Sequence, residues 1–156
     1  MSTPVRDHQK SQVYAAEQVL RAIYDNGVQT PVTLRGVTLQ LEPEDRFTSL
    51  ADVQIYLDRV TSHPEVIEAL GHRGRITVRE RRGDRFAHYQ YRDQVIAINT
   101  SNTGWGLREL VALHEIAHAF VPGGKHGPEF VATFVTLVGI IIGPQAALAL
   151  RLLLDE

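Results

Sequence analysis

The chain has 156 residues, of which 44% are hydrophobic and 22% charged, and these values suit one soluble globular domain with a sizeable core. The formal net charge of −2 gives no overall attraction to nucleic acid or to an anionic membrane. The absence of cysteine excludes disulfides, thiolate metal ligands and cysteine nucleophiles, and it fits a reducing compartment. Residues 1–10 are polar and lack the apolar core of a signal peptide, so we expect a cytoplasmic protein.

The N-terminal part of the sequence alternates helical and extended patterns, which we expect to form a scaffold over residues 1–71. Apolar residues at helical spacing predict helices, whereas an alternating β-branched stretch predicts strands between them. The predicted elements are a helix from about Val5 to Asn26, a β segment over 32–41 with a turn or bulge at Gly36, a helix that begins at Thr48 or Ser49 and runs to about Ser62, and a short helix from Pro64 to Leu70 that Gly71 ends.

Residues 72–100 are rich in short alternating stretches, and we expect them to form a β-meander. The predicted elements are strands over 76–81, 86–91 and 95–98, a turn over 82–84, and a polar loop over 99–106. The loop leads directly into a helix, so we expect an edge strand beside that helix. Such an edge can hold an extended peptide by main-chain hydrogen bonds.

Residues 104–156 are predicted to form the metal-binding helix and two C-terminal helices. The elements are helices over 107–120, 129–142 and 145–154. Residues 130–150 carry no charge, which raises the alternative of a transmembrane span. Because Gly143 and Pro144 divide this run into two short pieces, the sequence favours buried core helices.

The run 107–120 contains the motif His114-Glu115-Ile116-Ala117-His118. Positions i and i+4 lie one turn apart on the same face of a helix, so His114 and His118 would present two imidazoles side by side. That separation allows both to bind one Zn²⁺ ion at about 2.0–2.1 Å per nitrogen. Glu115 could then reach a water bound to the metal without being a ligand, as in the HExxH pattern of zinc metallohydrolases.

A third ligand is expected shortly after this helix. Pro122, Gly123 and Gly124 would end the helix and turn the chain back, which favours His126 as the third ligand. Glu129 is the alternative, because a carboxylate from the next helix can also complete such a site. Three protein ligands would leave a fourth position open, which is typical of a catalytic zinc site.

Other residues receive weaker functional predictions. Glu115 is the expected general base, and an edge strand beside the helix could supply transition-state or substrate contacts from His88, Tyr89 and Tyr91. Glu109 or Glu129 could hydrogen-bond a ligand histidine, although exposed charge is the simpler reading. The remaining histidines show no ligand spacing and are expected on the surface: His8, His63 and His72.

Residues 72–92 hold seven arginines against Glu80 and Asp84, a net charge of +5. Such a patch could contact nucleic acid or another polyanion. A solvated hairpin with charged edge positions explains the same pattern and is favoured.

The active-site segment resembles that of SprT-like zincins. The resemblance rests on His114-Glu115-x-x-His118, the Gly-rich turn, and His126-Gly127-x-x-Phe130. Most of the chain resembles a small family of uncharacterised actinobacterial HExxH metallohydrolases, with residues 13–18 and 107–110 supporting that closer likeness. The resemblance implies a zinc-dependent hydrolase with the third histidine at the start of the following helix.

Together these patterns predict an α+β fold over residues 1–156: one zincin-like domain with a small mixed or antiparallel sheet, an HExxH active-site helix and flanking helices. The predicted function is a zinc-dependent metallopeptidase with one Zn²⁺ per chain, ligands His114, His118 and His126, and a peptide or protein substrate. The alternative is a non-catalytic zinc-containing module that contacts nucleic acid or an acidic partner through residues 72–92. No membrane association is expected.

Overall fold

The structure is a computed structural model, and it describes residues 9–82, 87–100, 107–123 and 125–154. Six helices and five strands make up these ranges. In chain order they are α1 (Lys10–Asp25), β1 (Val32–Leu34), β2 (Val37–Leu39), α2 (Leu50–Ser62), α3 (Pro64–Leu70), β3 (Thr77–Glu80), β4 (Ala87–Gln90), β5 (Val95–Ile98), α4 (Glu109–Phe120), α5 (Pro128–Ile141) and α6 (Pro144–Leu154). The chain is an α+β single domain, as the sequence predicts.

Local signals in the N-terminal scaffold are confirmed where the structure describes them. The predicted first helix is present as α1, and the part of it before residue 9 lies outside the described ranges. β1 and β2 pair as an antiparallel hairpin. The turn between them has positive φ angles at Arg35 (48°) and Gly36 (78°), as a two-residue hairpin turn requires.

Three predicted helix boundaries in the next segment are also confirmed. The Ser49 hydroxyl caps α2 by accepting a hydrogen bond from the backbone N–H of Asp52 at 3.2 Å. Pro64 opens α3, where its missing N–H costs nothing. Gly71 ends α3 with a φ of 93°, a conformation that side-chain-bearing residues rarely adopt.

The β-meander predicted for residues 72–100 is wrong. The strand order is β3-β5-β4, with β3 parallel to β5 and β4 antiparallel to it, so β5 lies between the other two strands. β5 is the most apolar of the three, and Ile96, Ala97 and Ile98 are fully buried. The free energy gained by burying β5 in the centre of the sheet outweighs the advantage of pairing each strand with the next one in the chain, as a meander does. Of the predicted turn, Gly83 and Asp84 lie outside the described residues.

Helix α4 lies at the centre of the domain, where every residue from Glu109 to Ala119 is buried. It packs mainly against α5 and β4. Its first turn is tied to the segment before α2: the Glu44 carboxylate accepts from the Arg108 guanidinium and from the backbone N–H of Leu110. These contacts fix where the helix begins and therefore the position of each residue along it.

The predicted break between the two C-terminal helices is confirmed at Gly143. A Cβ on this residue would lie 2.2 Å from the Cδ of Glu42, and its φ of 152° is an angle that side-chain-bearing residues rarely adopt. The Glu42 carboxylate accepts hydrogen bonds from the backbone N–H groups of Gln145 (3.0 Å) and Ala146 (2.8 Å) and so caps α6. Within the described ranges, none of the helices has the length and apolarity needed to cross a membrane.

Candidate metal centre

The first two ligands predicted from the sequence lie on one face of α4. His114 and His118 are 4% and 7% exposed, and Glu115 between them is 4% exposed. The helix is apolar nearly all round, so these three polar side chains lie within the core rather than in solvent. The Nε2 atoms of His114 and His118, on successive turns of the helix, lie 3.3 Å apart.

His126 completes a three-histidine cluster. Its Nε2 lies 3.2 Å from the Nε2 of His114, and the ligand nitrogens of all three residues lie within 4.8 Å of one another. Two ligands of a tetrahedral zinc ion, each about 2.0–2.1 Å from the metal, are separated by about 3.3–3.4 Å. The two separations from His114 therefore match the edges of a tetrahedral site.

The chain bends to deliver His126 from the end of α4. The helix ends at Phe120, and Gly123 has a φ of 104° in the following turn, as its glycine signal predicts. Gly124 lies outside the described residues. The alternative ligand, Glu129, is exposed in the first turn of α5 and is not part of the cluster.

Hydrogen bonding at the Nδ1 atoms of His114 and His118 leaves their Nε2 atoms, which face each other, available to bind a cation. The Nδ1 of His114 contacts the Glu17 carboxylate, which as an anion only accepts, so Nδ1 carries the proton. The Tyr91 hydroxyl donates to the Val121 carbonyl at 3.2 Å, which leaves its oxygen able to accept from the Nδ1 of His118 at 3.3 Å.

In the neutral imidazoles, both Nε2 atoms therefore carry lone pairs that face each other with no hydrogen between them. Two acceptors at 3.3 Å repel each other unless a cation lies between them. The donor set thus fits a metal ion. Neutral imidazole nitrogens suit zinc among other divalent transition metals.

Glu115 is buried beside this cluster, and its Oε2 has no hydrogen-bond partner among the described residues. An unpaired polar atom in a protein interior costs free energy and calls for an explanation. Burial raises the pKa of Glu115 to about 7. A carboxyl group with a pKa near neutrality can both accept and return a proton at physiological pH.

Glu17, in α1, is the residue of the site that the sequence patterns did not identify. It is 2% exposed and its Oε1 contacts the Nδ1 of His114, the carboxylate–histidine pairing typical of metal ligands. Burial lowers the pKa of His114, but the charge of Glu17 and the hydrogen bond to it raise that pKa above its usual value. The signal available in the sequence was a glutamate within the apolar stripe of α1, beside Val13, Ala16 and Leu20.

Aromatic rings enclose the ligands. Phe130 packs against all three imidazoles, with ring centroids 4.5 Å from His118, 4.7 Å from His126 and 4.9 Å from His114. Tyr14 stacks on His114, with centroids 5.4 Å apart and planes inclined by 27°. These contacts restrict the rotation of each ligand and keep bulk water from most of its surface.

The residues predicted as substrate contacts lie beside the cluster. His88, Tyr89 and Tyr91 all line a cleft of about 570 Å³ that also contains the three ligands. Tyr91 contacts His118, as described above. The Tyr89 hydroxyl and the His88 Nδ1 are buried and have no hydrogen-bond partner in the described part of the chain.

The remaining polar candidates lie elsewhere. Glu109 accepts from the Tyr56 hydroxyl (2.7 Å) and from the backbone N–H of Asp45 (2.6 Å), and no contact with a ligand histidine is found for it. His63 caps α3 by accepting from the Glu65 N–H at 3.2 Å, and His72 is exposed. His8 lies outside the described residues.

The far wall of the cleft is the free edge of the three-stranded sheet. Within the described ranges, β4 pairs with β5 alone. The Arg81 N–H donates to the Ile98 carbonyl at 2.9 Å, so Ile98 faces β3 and its neighbour Ala97 faces β4. Ala97 is opposite His88, whose main-chain groups therefore point into the sheet.

Successive residues of a strand direct their main-chain groups to opposite sides. The N–H and C=O groups of Ala87 and Tyr89 consequently point away from β5, toward the open edge. Both residues line the cleft that holds the histidines. This edge can pair with an additional extended chain.

The arginine-rich segment is not a hairpin. β3 and β4, which lie within it, pair with opposite sides of β5 and not with each other. Arg75 forms an exposed pair with Asp58 at 3.4 Å, and the Arg79 side chain bonds Gln90 at 3.4 Å. Arg85 lies outside the described residues.

Searches against known protein families, curated proteins and solved structures found no match to this chain.

Proposed function

We propose that this protein is a zinc-dependent metallohydrolase that cleaves peptide bonds. One observation carries the proposal: three buried imidazoles converge, with the Nε2 of His114 at tetrahedral spacing from the other two, beside Glu115, a buried carboxyl group with an unpartnered oxygen. A structural zinc site has four protein ligands, whereas three ligands leave a position open to the cleft. A zincin-like arrangement of strand, loop and metal helix, as in the SprT-like resemblance, is part of the same proposal.

The chain's own residues supply binding, orientation and proton transfer. His114, His118 and His126 would hold the Zn²⁺ ion, and when bound it would lower the pKa of a coordinated water toward neutrality and polarise a substrate carbonyl. The Glu115 Oε2 accepts a proton from the attacking water and then returns it to the departing amine. The pKa of about 7 for this carboxyl group suits both directions of transfer.

A peptide is the favoured substrate because of the sheet edge beside the metal helix. The free main-chain groups of Ala87 and Tyr89 can hydrogen-bond an extended chain laid between β4 and α4. This pairing would align a peptide carbonyl with the ligands on α4. The buried hydroxyl of Tyr89 is a better candidate than that of Tyr91 to bind a substrate oxygen, because the Tyr91 hydroxyl already bonds Val121.

The test has two stages. Metal analysis of the purified protein should find about one zinc per chain. A mixed peptide library, analysed by mass spectrometry, should then yield cleavage products with the zinc-loaded protein. Glu115→Gln should keep the zinc and lose about 10²- to 10⁴-fold in rate, because only the proton acceptor is removed.

The matched control is Glu129→Gln, an equally conservative change at an exposed glutamate outside the cluster. It should keep both zinc and activity. A well-folded protein without metal would refute the zinc proposal. Undiminished cleavage by Glu115→Gln would show that another group accepts the proton.

A further inference from the structure

We infer that Glu17 is a positioning residue that fixes the tautomer and ring orientation of His114, so that α1 completes the metal centre. This inference rests on the proposed zinc site. The three ligands occupy residues 114–126, and Glu17 lies 97 residues before the first of them. The role assigned to Glu17 is to act on the metal through His114, without touching it.

The geometry around His114 supports this role. Its Nδ1 contacts the Glu17 carboxylate, while its Nε2 lies 3.2 Å from His126 and 3.3 Å from His118. One carboxylate oxygen therefore decides which nitrogen carries the proton and which faces the metal. The Nε2 of His114 lies close to the Nε2 atoms of both other ligands, so a rotation of this ring would change both separations.

Helix α1 holds His114 in a second way. Tyr14, one turn before Glu17, stacks on the imidazole at 5.4 Å, so ring plane and ring nitrogen are both restrained by the same helix. Arg21, one turn after Glu17, places its Nη1 3.9 Å from the other carboxylate oxygen. The carboxylate is thereby held between a cation and the imidazole.

A purely structural role does not account for a carboxylate at this position. Glu17 occupies the buried stripe of α1 with Val13, Ala16 and Leu20, where an apolar side chain would pack without a desolvation cost. Burying an ionised group is often neutral or unfavourable for stability, even when it is paired. The orientation of His114 provides a reason for keeping the charge there.

The first measurement is zinc affinity by chelator competition with the full chain. Glu17→Ala should bind zinc roughly 10- to 100-fold more weakly than the wild type, the range typical of partners of metal ligands. Glu17→Gln, which keeps the size and one acceptor oxygen, should lie between the two. Glu129→Gln is the control: it removes an exposed carboxylate in α5 that is not part of the cluster, and it should leave zinc affinity unchanged.

The second measurement is independent of metal. The ¹⁵N chemical shifts of the His114 ring, recorded on zinc-free protein at alkaline pH, should show a protonated Nδ1 in the wild type. Glu17→Ala should show a mixture of tautomers. A protein in which Glu17 only supports the fold would show the wild-type tautomer in every folded variant.

These results separate the inference from the proposed function. Wild-type zinc affinity in Glu17→Ala, with an unchanged tautomer, would overturn the role of Glu17 while leaving the zinc site intact. If the wild type bound no zinc, the proposed function would fail, and the His114 tautomer alone would decide the role of Glu17. Zinc binding that depends on Glu17 in a protein without peptidase activity would support the inference and reject the hydrolase.

Discussion

Helix α4 carries two buried polar clusters, one at its first turn and one in its middle, and they differ in how their polar atoms are partnered. At the first turn, the Arg108 guanidinium bonds both oxygens of Glu44 at 2.6–3.0 Å, and Glu109 accepts from Tyr56 and the backbone of Asp45. In the middle, the Nε2 atoms of two histidines face each other and Glu115 Oε2 has no partner among the described residues.

Burial raises the pKa of Glu109 as it does that of Glu115, so burial alone does not distinguish the two clusters. The difference lies in hydrogen bonding. The first cluster is satisfied by the protein itself and serves to place the helix. The second is left incomplete and is open to a cleft, which is what a binding site for a cation and a substrate requires.

The largest effect on stability is expected from a substitution that breaks the first cluster. Arg108→Ala leaves the Glu44 carboxylate buried without its cation and should lower the free energy of unfolding by about 3–5 kcal/mol. Urea denaturation checks this value. The control is Arg75→Ala, which removes an exposed pair with Asp58 and should cost less than about 0.5 kcal/mol. Equal losses in the two variants would contradict the structural role given to Arg108.

A somewhat smaller change in stability is expected when zinc binds the second cluster. At free zinc of about 100 times Kd, the ion should stabilise the folded chain by about 2.7 kcal/mol, because it binds the folded state preferentially. Removing zinc with a chelator should abolish this gain, which thermal or urea unfolding measures. His126→Ala should show no zinc-dependent shift. Identical unfolding curves with and without zinc would count against the metal centre.

The smallest expected effect is a difference in zinc affinity between substitutions of Tyr91 and Tyr89, the two tyrosines beside the second cluster. Tyr91→Phe removes the oxygen that accepts from His118 Nδ1 and should weaken zinc binding about tenfold, or about 1.4 kcal/mol. Tyr89→Phe removes a hydroxyl without a partner in the described chain and should leave zinc affinity unchanged. Chelator competition measures both. A loss confined to Tyr89→Phe would reverse the roles assigned to these residues.

The sequence predicted the features that depend on neighbouring residues. Ser49, Pro64 and Gly71 mark helix ends through backbone hydrogen bonds and φ angles that act over a few residues. The HExxH pattern places His114 and His118 by helix geometry alone. His126 follows closely enough for its glycine turn to indicate the direction of the chain.

Features that depend on distant contacts were not predictable in the same way. Alternation in residues 72–100 indicates strands but does not encode which strand pairs with which, so the central position of β5 was missed. The contact of Glu17 with His114 depends on how α1 docks on the domain. A glutamate in an apolar stripe signals that a partner exists, but not which residue it is.

The segment between β2 and α2 also limits how the chain can change in length. Glu42 caps α6 and Glu44 holds the start of α4, with Pro43 fixing the backbone between them. These two carboxylates, two residues apart in the chain, therefore fix the spacing between two helix starts that are far apart in sequence. Substituting one of these glutamates removes the hydrogen bonds at one helix start. Inserting or deleting one residue between them would instead shift one helix start relative to the other, and with it the position of the histidines.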